Sequence, residues 1–105
     1  MDKGTIKDII HFLRELLIKD GLHVDSIALF GSALTGDMHE DSDIDLIIIS
    51  SDFKDKDLFE RSQMTLKPEI ATFKKFKVSM DILNLSPEEY EDSKLKMYFN
   101  SKIVA

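Results

Sequence analysis

Two short motifs, Gly31-Ser32 and Asp43-Ile44-Asp45, are separated by ten residues and carry groups that could do chemistry. A glycine that leads into a helix lets an anion approach unpaired backbone N–H groups, so Gly31 and Ser32 predict a turn that could hold phosphates. Side chains alternate along a strand, so Asp43 and Asp45 would share one face with Cα atoms about 6.5 Å apart. Two such carboxylates can hold Mg²⁺ and leave coordination positions open for substrate phosphates.

The residues around both motifs predict strands that would position them. Val24 to Phe30 is rich in apolar and β-branched residues and ends at Gly31, which predicts a strand followed by a tight turn. Ser32 to Leu34 would then open a short helix. Asp45 is followed by Leu46-Ile47-Ile48-Ile49, which predicts a buried strand. A carboxylate beside such a strand is costly unless it has a partner, and this favours a functional site over a solvated loop for the aspartate pair.

The acidic stretch allows two other interpretations. A calcium-binding EF-hand loop beginning at Asp41 would need glycine at its sixth position and glutamate at its twelfth, where this chain has Leu46 and Asp52. The calcium interpretation is therefore excluded. The second interpretation is a solvated acidic loop ahead of a strand, and we favour it for Asp37, Glu40 and Asp41.

A third carboxylate is expected on a neighbouring strand, because two-metal transfer chemistry needs more ligands than one pair supplies. Lys77 to Leu85 predicts that strand, and Asp81 is its only acidic residue, set between Met80 and Ile82. The alternative for Asp81 is an edge-strand side chain that faces water and has no chemical role. We favour the site, because the strand would lie beside the first aspartate pair.

Hydrophobic spacing predicts helices before and after these strands. Thr5 to Asp20 carries apolar residues at helical spacing and is predicted to end near Gly21. Asp55 to Phe73 predicts a second helix that Pro68 could interrupt. That helix is predicted from its apolar residues, which are Leu58, Phe59, Leu66, Ile70 and Phe73.

A third long helix is predicted to begin at Ser86. Ser86 would be the N-cap, Pro87 the first helical residue, and Glu89 the second half of a capping box. The element order is then αβαβαβα, which is an α/β (α+β) arrangement. The large apolar residues of this helix most simply cover the sheet, and the alternative is an open patch for a protein partner; they are Tyr90, Leu95, Met97, Tyr98 and Phe99.

Composition narrows the classes of protein and partner. The chain has 105 residues and no cysteine, which predicts one compact domain over 1–105 in a reducing compartment. It shows no signal peptide and no stretch long enough to span a bilayer, so we expect a cytoplasmic protein. The net charge of −6 comes from 14 basic and 20 acidic residues, which makes a nucleic-acid partner improbable.

The remaining charged groups have ordinary interpretations. Lys74, Lys75 and Lys77 form the one basic cluster, where cations suit the carboxyl end of a helix. The three histidines have no metal-ligand spacing and are interpreted as structural or solvent-facing; they are His11, His23 and His39.

The motifs together resemble the signature of the DNA polymerase beta nucleotidyltransferase superfamily. The resemblance is carried by Leu29-Phe30-Gly31-Ser32, Gly36 and Ser42-Asp43-Ile44-Asp45-Leu46 and extends to about Leu85. The chain is similar in size and motif spacing to the minimal nucleotidyltransferase (MNT) domain proteins, which include MntA-like antitoxins. This resemblance implies a small mixed β-sheet flanked by helices.

The resemblance also implies a function for each motif. Gly31 and Ser32 would contact the nucleotide phosphates, and Asp43 and Asp45 would bind metal. Asp81 would complete the metal site and help to deprotonate an attacking hydroxyl. The implied cofactor is Mg²⁺, as two ions, with ATP or another nucleoside triphosphate as substrate. Toxin-linked members of the family transfer AMP from ATP to a tyrosine of a HEPN-type partner toxin.

One departure from the family pattern bears on activity. Members often carry arginines in the turn, where this chain has Ala33, Leu34 and Thr35, so charge that would offset the triphosphate is missing. The nearby cations that could replace them are Lys54, Lys56 and Arg61, and we favour the interpretation that these are ordinary solvated charges.

The alternative function is a weak or inactive module that neutralises a partner by contact. Transfer to a small molecule is less favoured, since such enzymes usually carry a further helical domain.

Overall fold

The computed structural model describes residues 3–31, 43–92 and 101–105. Within them, the helices pack on a four-stranded mixed sheet with strand order β3-β2-β1-β4. The elements are α1 (Lys3–Lys19), β1 (Ser26–Phe30), β2 (Ile44–Ile49), a 3₁₀ turn (Ser51–Phe53), α2 (Leu58–Phe76), β3 (Met80–Leu85), α3 (Pro87–Asp92) and β4 (Lys102–Ile103). β2 pairs parallel with β3, while β1 pairs antiparallel with both β2 and β4. The predicted mixed sheet flanked by helices is confirmed.

Helix α1 covers one face of the sheet, as its apolar spacing predicts. Its buried stripe packs on alternate residues of β1 and β2, including Leu29 and Leu46. The helix ends as expected before Gly21, which has a φ of 96°. The N–H of Leu22 donates to the carbonyl of Leu17 at 3.0 Å and closes the last turn. The stripe consists of Ile6, Ile9, Ile10, Leu13 and Leu17.

Helix α2 begins at a capping box rather than at Asp55, which has a φ of 62°. The N–H of Glu60 donates to the Asp57 carboxylate at 2.8 Å, and the Glu60 carboxylate accepts from the N–H of Asp57. The expected interruption at Pro68 is wrong, because the helix continues through this buried proline. Packing of the proline face against the interior outweighs the loss of one backbone donor.

The face of α2 that packs inward is not the face that carries most of its large apolar residues. The apolar residues that predict the helix are exposed, with Phe59 accessible to 72% and Leu66 to 45%. The buried residues are Arg61, Thr65, Pro68 and Thr72. The spacing identified the helix correctly, but a stripe cannot indicate whether its own chain covers it.

The opposite face of the sheet is covered around Tyr90 on α3. Tyr90 is buried against Ala28, Ile47 and Ile49, and its hydroxyl lies 2.7 Å from the Ser101 hydroxyl oxygen. The predicted capping box is confirmed, because the N–H of Glu89 donates to the Ser86 hydroxyl and the N–H of Ser86 donates to the Glu89 carboxylate. The other large residues predicted for this helix lie outside the described residues, as do Ser32 to Leu34 and His39.

The short strand β4 was not part of the predicted order. It pairs Ile103 with Ala28 and Lys102 with Leu29, on the edge of β1. A strand of two residues has no hydrophobic period of its own, so only its pairing reveals it. In the ranges that the structure describes, no helix is long and apolar enough to cross a membrane.

Candidate active site

The topology brings the three predicted aspartates to one end of the sheet. Because β2 and β3 are parallel, their amino ends lie side by side, and Asp45 stands directly opposite Asp81 in the strand register. Asp43 comes immediately before β2 and, by strand alternation, shares the face of Asp45. This face also carries Ile47, which packs with Tyr90, so the carboxylates lie on the α3 side of the sheet.

The three carboxylates have different surroundings. Asp45 is half-buried, whereas Asp43 and Asp81 are exposed. Burial raises the pKa of Asp45 above its usual range, and the charges of Asp81 and Asp43 raise this pKa further. β3 is an edge strand of the described sheet, so Asp81 does face water, but its register places its charge beside Asp45.

Gly31 lies against the central carboxylate. The residue before it, Phe30, is the register partner of Asp45, and the turn brings the Gly31 backbone onto the Asp45 side chain. A Cβ on Gly31 would overlap Oδ2 of Asp45 and lie 3.2 Å from its Cγ. Gly31 also has a φ of 68°, which glycine adopts without strain. Two separate constraints therefore require glycine here, while Ser32 lies outside the described residues.

The carboxylate cluster has no cation of its own in the described residues. None of Asp43, Asp45 and Asp81 forms an ion pair there. Nor do any three acidic, histidine or cysteine side chains in those ranges stand close enough to enclose a metal ion. Mg²⁺ needs only one or two carboxylates when substrate phosphates and water complete its shell. The oxygen donors of an uncompensated acidic cluster therefore fit this ion in their chemistry.

Arg61 has a structural position that the sequence interpretation missed. It was expected to be a solvated charge or a substitute for the turn arginines, and both expectations are wrong. The side chain is only 8% exposed and bonds to the Glu89 carboxylate at 2.7 Å. It also donates to the carbonyls of Lys56 and Asn84 at 2.9 and 3.0 Å. Arg61 thus joins α2 to the carboxyl end of β3, away from the aspartates.

Lys54 and Lys56 are exposed, as the solvated-charge interpretation expects. They follow the carboxyl end of β2, whereas Asp43 precedes its amino end. The strand therefore separates them from the aspartates.

The parallel crossover instead brings a different set of lysines to the aspartate end. Helix α2 runs from the carboxyl end of β2 to the amino end of β3, so its last turn lies near the strand ends that carry the acids. Lys74 and Lys75 lie in that last turn, and Lys77 is its C-cap in the left-handed conformation. The Lys75 ammonium lies 4.5 Å from the centre of the Phe12 ring. These positions confirm the helix-end interpretation, and they place the lysines at the same end of the sheet as the aspartates but on the side of α1 and α2.

A cavity lies on the other side of the sheet. It has a volume of about 870 Å³ between α1 and β4 and is lined by residues that include Ile10, Arg14 and Leu29. None of the three aspartates lines it. Leu29 packs with the α1 side of the core, so this cavity and the carboxylates occupy opposite faces.

Comparison with known proteins gives one match to a protein family. Residues 6–104 match the family model described as a nucleotidyltransferase domain, which is nearly the whole chain. No curated protein matches in sequence.

Solved structures give the fold independently. A proposed nucleotidyltransferase from Sulfolobus solfataricus, solved at 1.40 Å, matches with a TM-score of 0.64 and 20% identity over 98% of this chain and 87% of the other. A toxin–antitoxin complex with AMP-PNP matches with a TM-score of 0.56 and 19% identity over 87% of this chain and 68% of the other. BolA1 from Arabidopsis thaliana matches at 0.52 with 14% identity over 73% and 89% of the two chains. At these identities the likeness establishes the fold.

Proposed function

This chain belongs to the nucleotidyltransferase domain family, and from that premise we propose that it transfers a nucleoside monophosphate to a hydroxyl acceptor with the help of Mg²⁺. We propose ATP as the donor and AMP as the transferred group. The acceptor we propose is a tyrosine of a HEPN-type partner toxin, so that the protein acts as an MntA-like antitoxin.

One observation carries the proposal. Asp45 and Asp81 face each other across parallel strands, with Asp43 on the same side and Gly31 packed on the Asp45 carboxylate. The turn that would hold phosphates is therefore in direct contact with one of the acids that would hold metal, Asp45. The raised pKa of Asp45 reflects burial and negative charge that a bound cation would offset.

Each of these residues has a proposed task. Asp43, Asp45 and Asp81 would hold up to two Mg²⁺ ions, which when bound neutralise phosphate charge and orient the triphosphate. Backbone N–H groups at Gly31 and Ser32 would bind phosphate oxygens.

The proposed reaction is an in-line substitution at the α-phosphorus. The acceptor oxygen forms a bond to this phosphorus as the bond to the bridging oxygen breaks, and pyrophosphate leaves with the electron pair. The Asp81 carboxylate, exposed at the sheet edge, takes up the hydroxyl proton. Little else is required of the protein, because positioning and charge neutralisation supply most of the catalysis of phosphoryl transfer.

The partner proposal rests on two observations. The motif spacing resembles that of the minimal nucleotidyltransferase antitoxins, and one structural neighbour is a toxin–antitoxin complex with AMP-PNP. The acidic surface, with a net charge of −6, suits a protein acceptor better than a nucleic acid.

A second function is favoured by a specific difference in sequence. Ala33, Leu34 and Thr35 occupy the turn where related enzymes often carry arginines, so the phosphates would lose two charge-assisted contacts. A module that neutralises its partner by contact alone would need no such cations. It would bind a partner equally well after loss of the aspartates.

Calorimetric titration separates the two functions. ATP, GTP, CTP and UTP are each titrated into the protein with Mg²⁺, and we expect binding of ATP alone. Asp43→Asn should abolish the binding heat, while Asp20→Asn, an exposed acid after α1, should leave it unchanged. Absence of binding by all four nucleotides would favour the contact-only module.

A transfer assay then tests the acceptor. The protein is mixed with Mg²⁺, ATP and a HEPN-type protein, and we expect intact-mass spectrometry to show a gain of AMP on that protein. A tyrosine-to-phenylalanine series on the acceptor locates the modified residue. A mass gain that persists with the Asp43→Asn enzyme would contradict the assigned site.

A further inference from the structure

The outward face of α2 is apolar, and the structure leaves it uncovered. Phe59 is 72% exposed, Leu66 45%, Ile70 44% and Phe73 48%. We call these four residues the outer stripe. At about 100° per residue they fall within an arc of roughly 60° on the helix. A continuous apolar stripe of this size on a surface helix marks an interaction site.

The stripe does not belong to the core of this chain, because α2 buries a different face there. The inward side of α2 is held by buried Arg61, which donates to the Asn84 carbonyl of β3 and to the Glu89 carboxylate of α3. Phe76 packs edge-to-face on Phe12 of α1 at 5.6 Å between ring centres. Rotating α2 to bury the stripe would break these contacts, so the stripe stays on the outer side of the helix.

The spacing of the outer stripe is symmetric about its centre. Phe59 lies seven residues before Leu66, and Phe73 lies seven residues after it. Seven residues are about two helical turns, or roughly 10.5 Å along the axis. If two copies of α2 pack antiparallel about Leu66, each Phe59 meets Phe73 of the partner subunit, and the two leucines meet at the two-fold axis. We propose that the occupant of the outer stripe is a second copy of this chain, packed in this way.

The charges beside the stripe complement each other under the same symmetry. Glu60 and Lys74 are exposed on one flank of the stripe, and a perpendicular two-fold axis places like flanks together. Glu60 then lies within about 3 Å along the axis of the partner's Lys74, and the pair occurs twice. Lys67 also lies on this flank and falls near its own copy, which is an unfavourable contact.

The expected association is weak. A single helix face buries less area than a standard interface, and we expect a dissociation constant in the range of about 1–100 μM. The stripe lies on the solvent side of α2, away from the three aspartates. The proposal therefore does not depend on the proposed nucleotidyl transfer.

Sedimentation equilibrium tests the dimer directly. We expect the wild-type chain to dimerise over micromolar concentrations, and the double variant Phe59→Ser with Phe73→Ser to dissociate at least tenfold more easily. Ile18→Ser is the matched control, because Ile18 is an exposed apolar residue of α1 with 46% accessibility. Thermal melting checks that all variants are folded. A wild-type chain that stays monomeric throughout the concentration range would overturn the proposal.

A charge exchange tests the antiparallel arrangement. Glu60→Lys and Lys74→Glu should each weaken self-association, whereas an equimolar mixture of the two variants should form a heterodimer with both ion pairs restored. The Glu60→Lys chain loses the bond that the Glu60 carboxylate accepts from the Asp57 N–H both alone and in the mixture, so this loss does not affect the comparison. Lys67→Gln should tighten the dimer. Failure of the mixture to form heterodimers, or weaker association by Lys67→Gln, would contradict the arrangement and favour a different, acidic partner.

Discussion

The Asp45 carboxyl group is half-buried and faces two other acids, and both conditions disfavour its ionised form. Because its pKa is higher in the folded chain than the ordinary value of 3.8, the folded state binds this proton more tightly than the unfolded state. The contribution of this group to the free energy of unfolding therefore falls as pH rises from the ordinary carboxyl pKa through the raised pKa of Asp45. Without bound metal, the charge of Asp45 destabilises the protein at neutral pH.

Asp45→Asn removes this charge and preserves the side-chain shape. We expect a higher melting temperature than wild type at pH 7 without metal, because the destabilising ionisation is lost. Transfer activity should fall by about 100-fold or more, since a metal ligand is lost. Calorimetric scans across acid and neutral pH, with and without Mg²⁺, measure both effects. A lower melting temperature than wild type would mean that the Asp45 charge is compensated in the folded chain.

Gly31 and Gly21 form a matched pair for testing the turn. Both have a positive φ, but a Cβ at Gly21 meets nothing within 4 Å, while one at Gly31 overlaps the Asp45 carboxylate. Gly21→Ala should cost only backbone strain of about 1–2 kcal/mol and preserve nucleotide binding. Gly31→Ala should cost about 2–4 kcal/mol and weaken binding, because Asp45 must move. Urea unfolding and calorimetry give the two quantities. Equal losses of stability and binding in both variants would contradict the role of the close contact.

At the scale of elements, one buried guanidinium connects α2, β3 and α3. Arg61 on α2 donates to the Asn84 carbonyl of β3 and to Glu89 of α3, and its guanidinium lies 5.8 Å from the centre of the Phe53 ring. The Arg61 hydrogen bond is the main cause that lowers the pKa of Glu89, with a second contribution from the Ser86 N–H. A lowered carboxyl pKa stabilises the fold above the ordinary value of 4.5, and this stabilisation is lost as pH falls through the lowered pKa.

Arg61→Met is expected to lower the free energy of unfolding by about 2–4 kcal/mol, because two carbonyl groups lose their donor. Glu89→Gln should cost about 1 kcal/mol, since the Glu89 side chain is 46% exposed, and it should flatten the acid dependence of stability. Urea unfolding at neutral and acid pH measures these differences. Nucleotide binding of the folded variants serves as the control, because Arg61 lies away from the aspartates. Loss of binding in a folded Arg61→Met protein would place this residue in the site after all.

The two faces of α2 differ in their chemistry. Its inward side carries Arg61, Thr65 and Thr72 and depends on hydrogen bonds, while its outer stripe is apolar. Hydrophobic periodicity detects a helix but gives no information about which molecule covers the stripe. The predicted helix was therefore right in type, and the structure adds that its apolar residues face outward.

At the scale of the whole molecule, the parallel pairing of β2 and β3 organises the charges. Both strands start at the same end of the sheet, so Asp43, Asp45 and Asp81 gather there, and the returning helix brings Lys74 and Lys77 to that end. The chain as a whole has a net charge of −6, and the electrostatic potential at this end of the sheet depends on the local arrangement of these acids and lysines rather than on that average.

The sequence by itself determined the features that depend on neighbouring residues. The α1 stripe, the Ser86 cap and the β2 strand all follow from residue types within a few positions along the chain, whereas the close contact of Gly31 with Asp45 does not. The motif spacing also indicated the family correctly. The chemical roles of Asp43, Asp45, Asp81, Gly31 and Ser32 stay predictions.

Only the tertiary structure decided the features that join distant segments. The register of Asp45 with Asp81, the pairing of β4, and the outward stripe of α2 cannot be found from local spacing. The contact between Arg61 and Glu89 joins residues 28 positions apart, and it turned an apparent surface cation into a buried connection. Local patterns fix which residues share a face of an element. Which element packs on that face depends on burial and pairing across the whole chain.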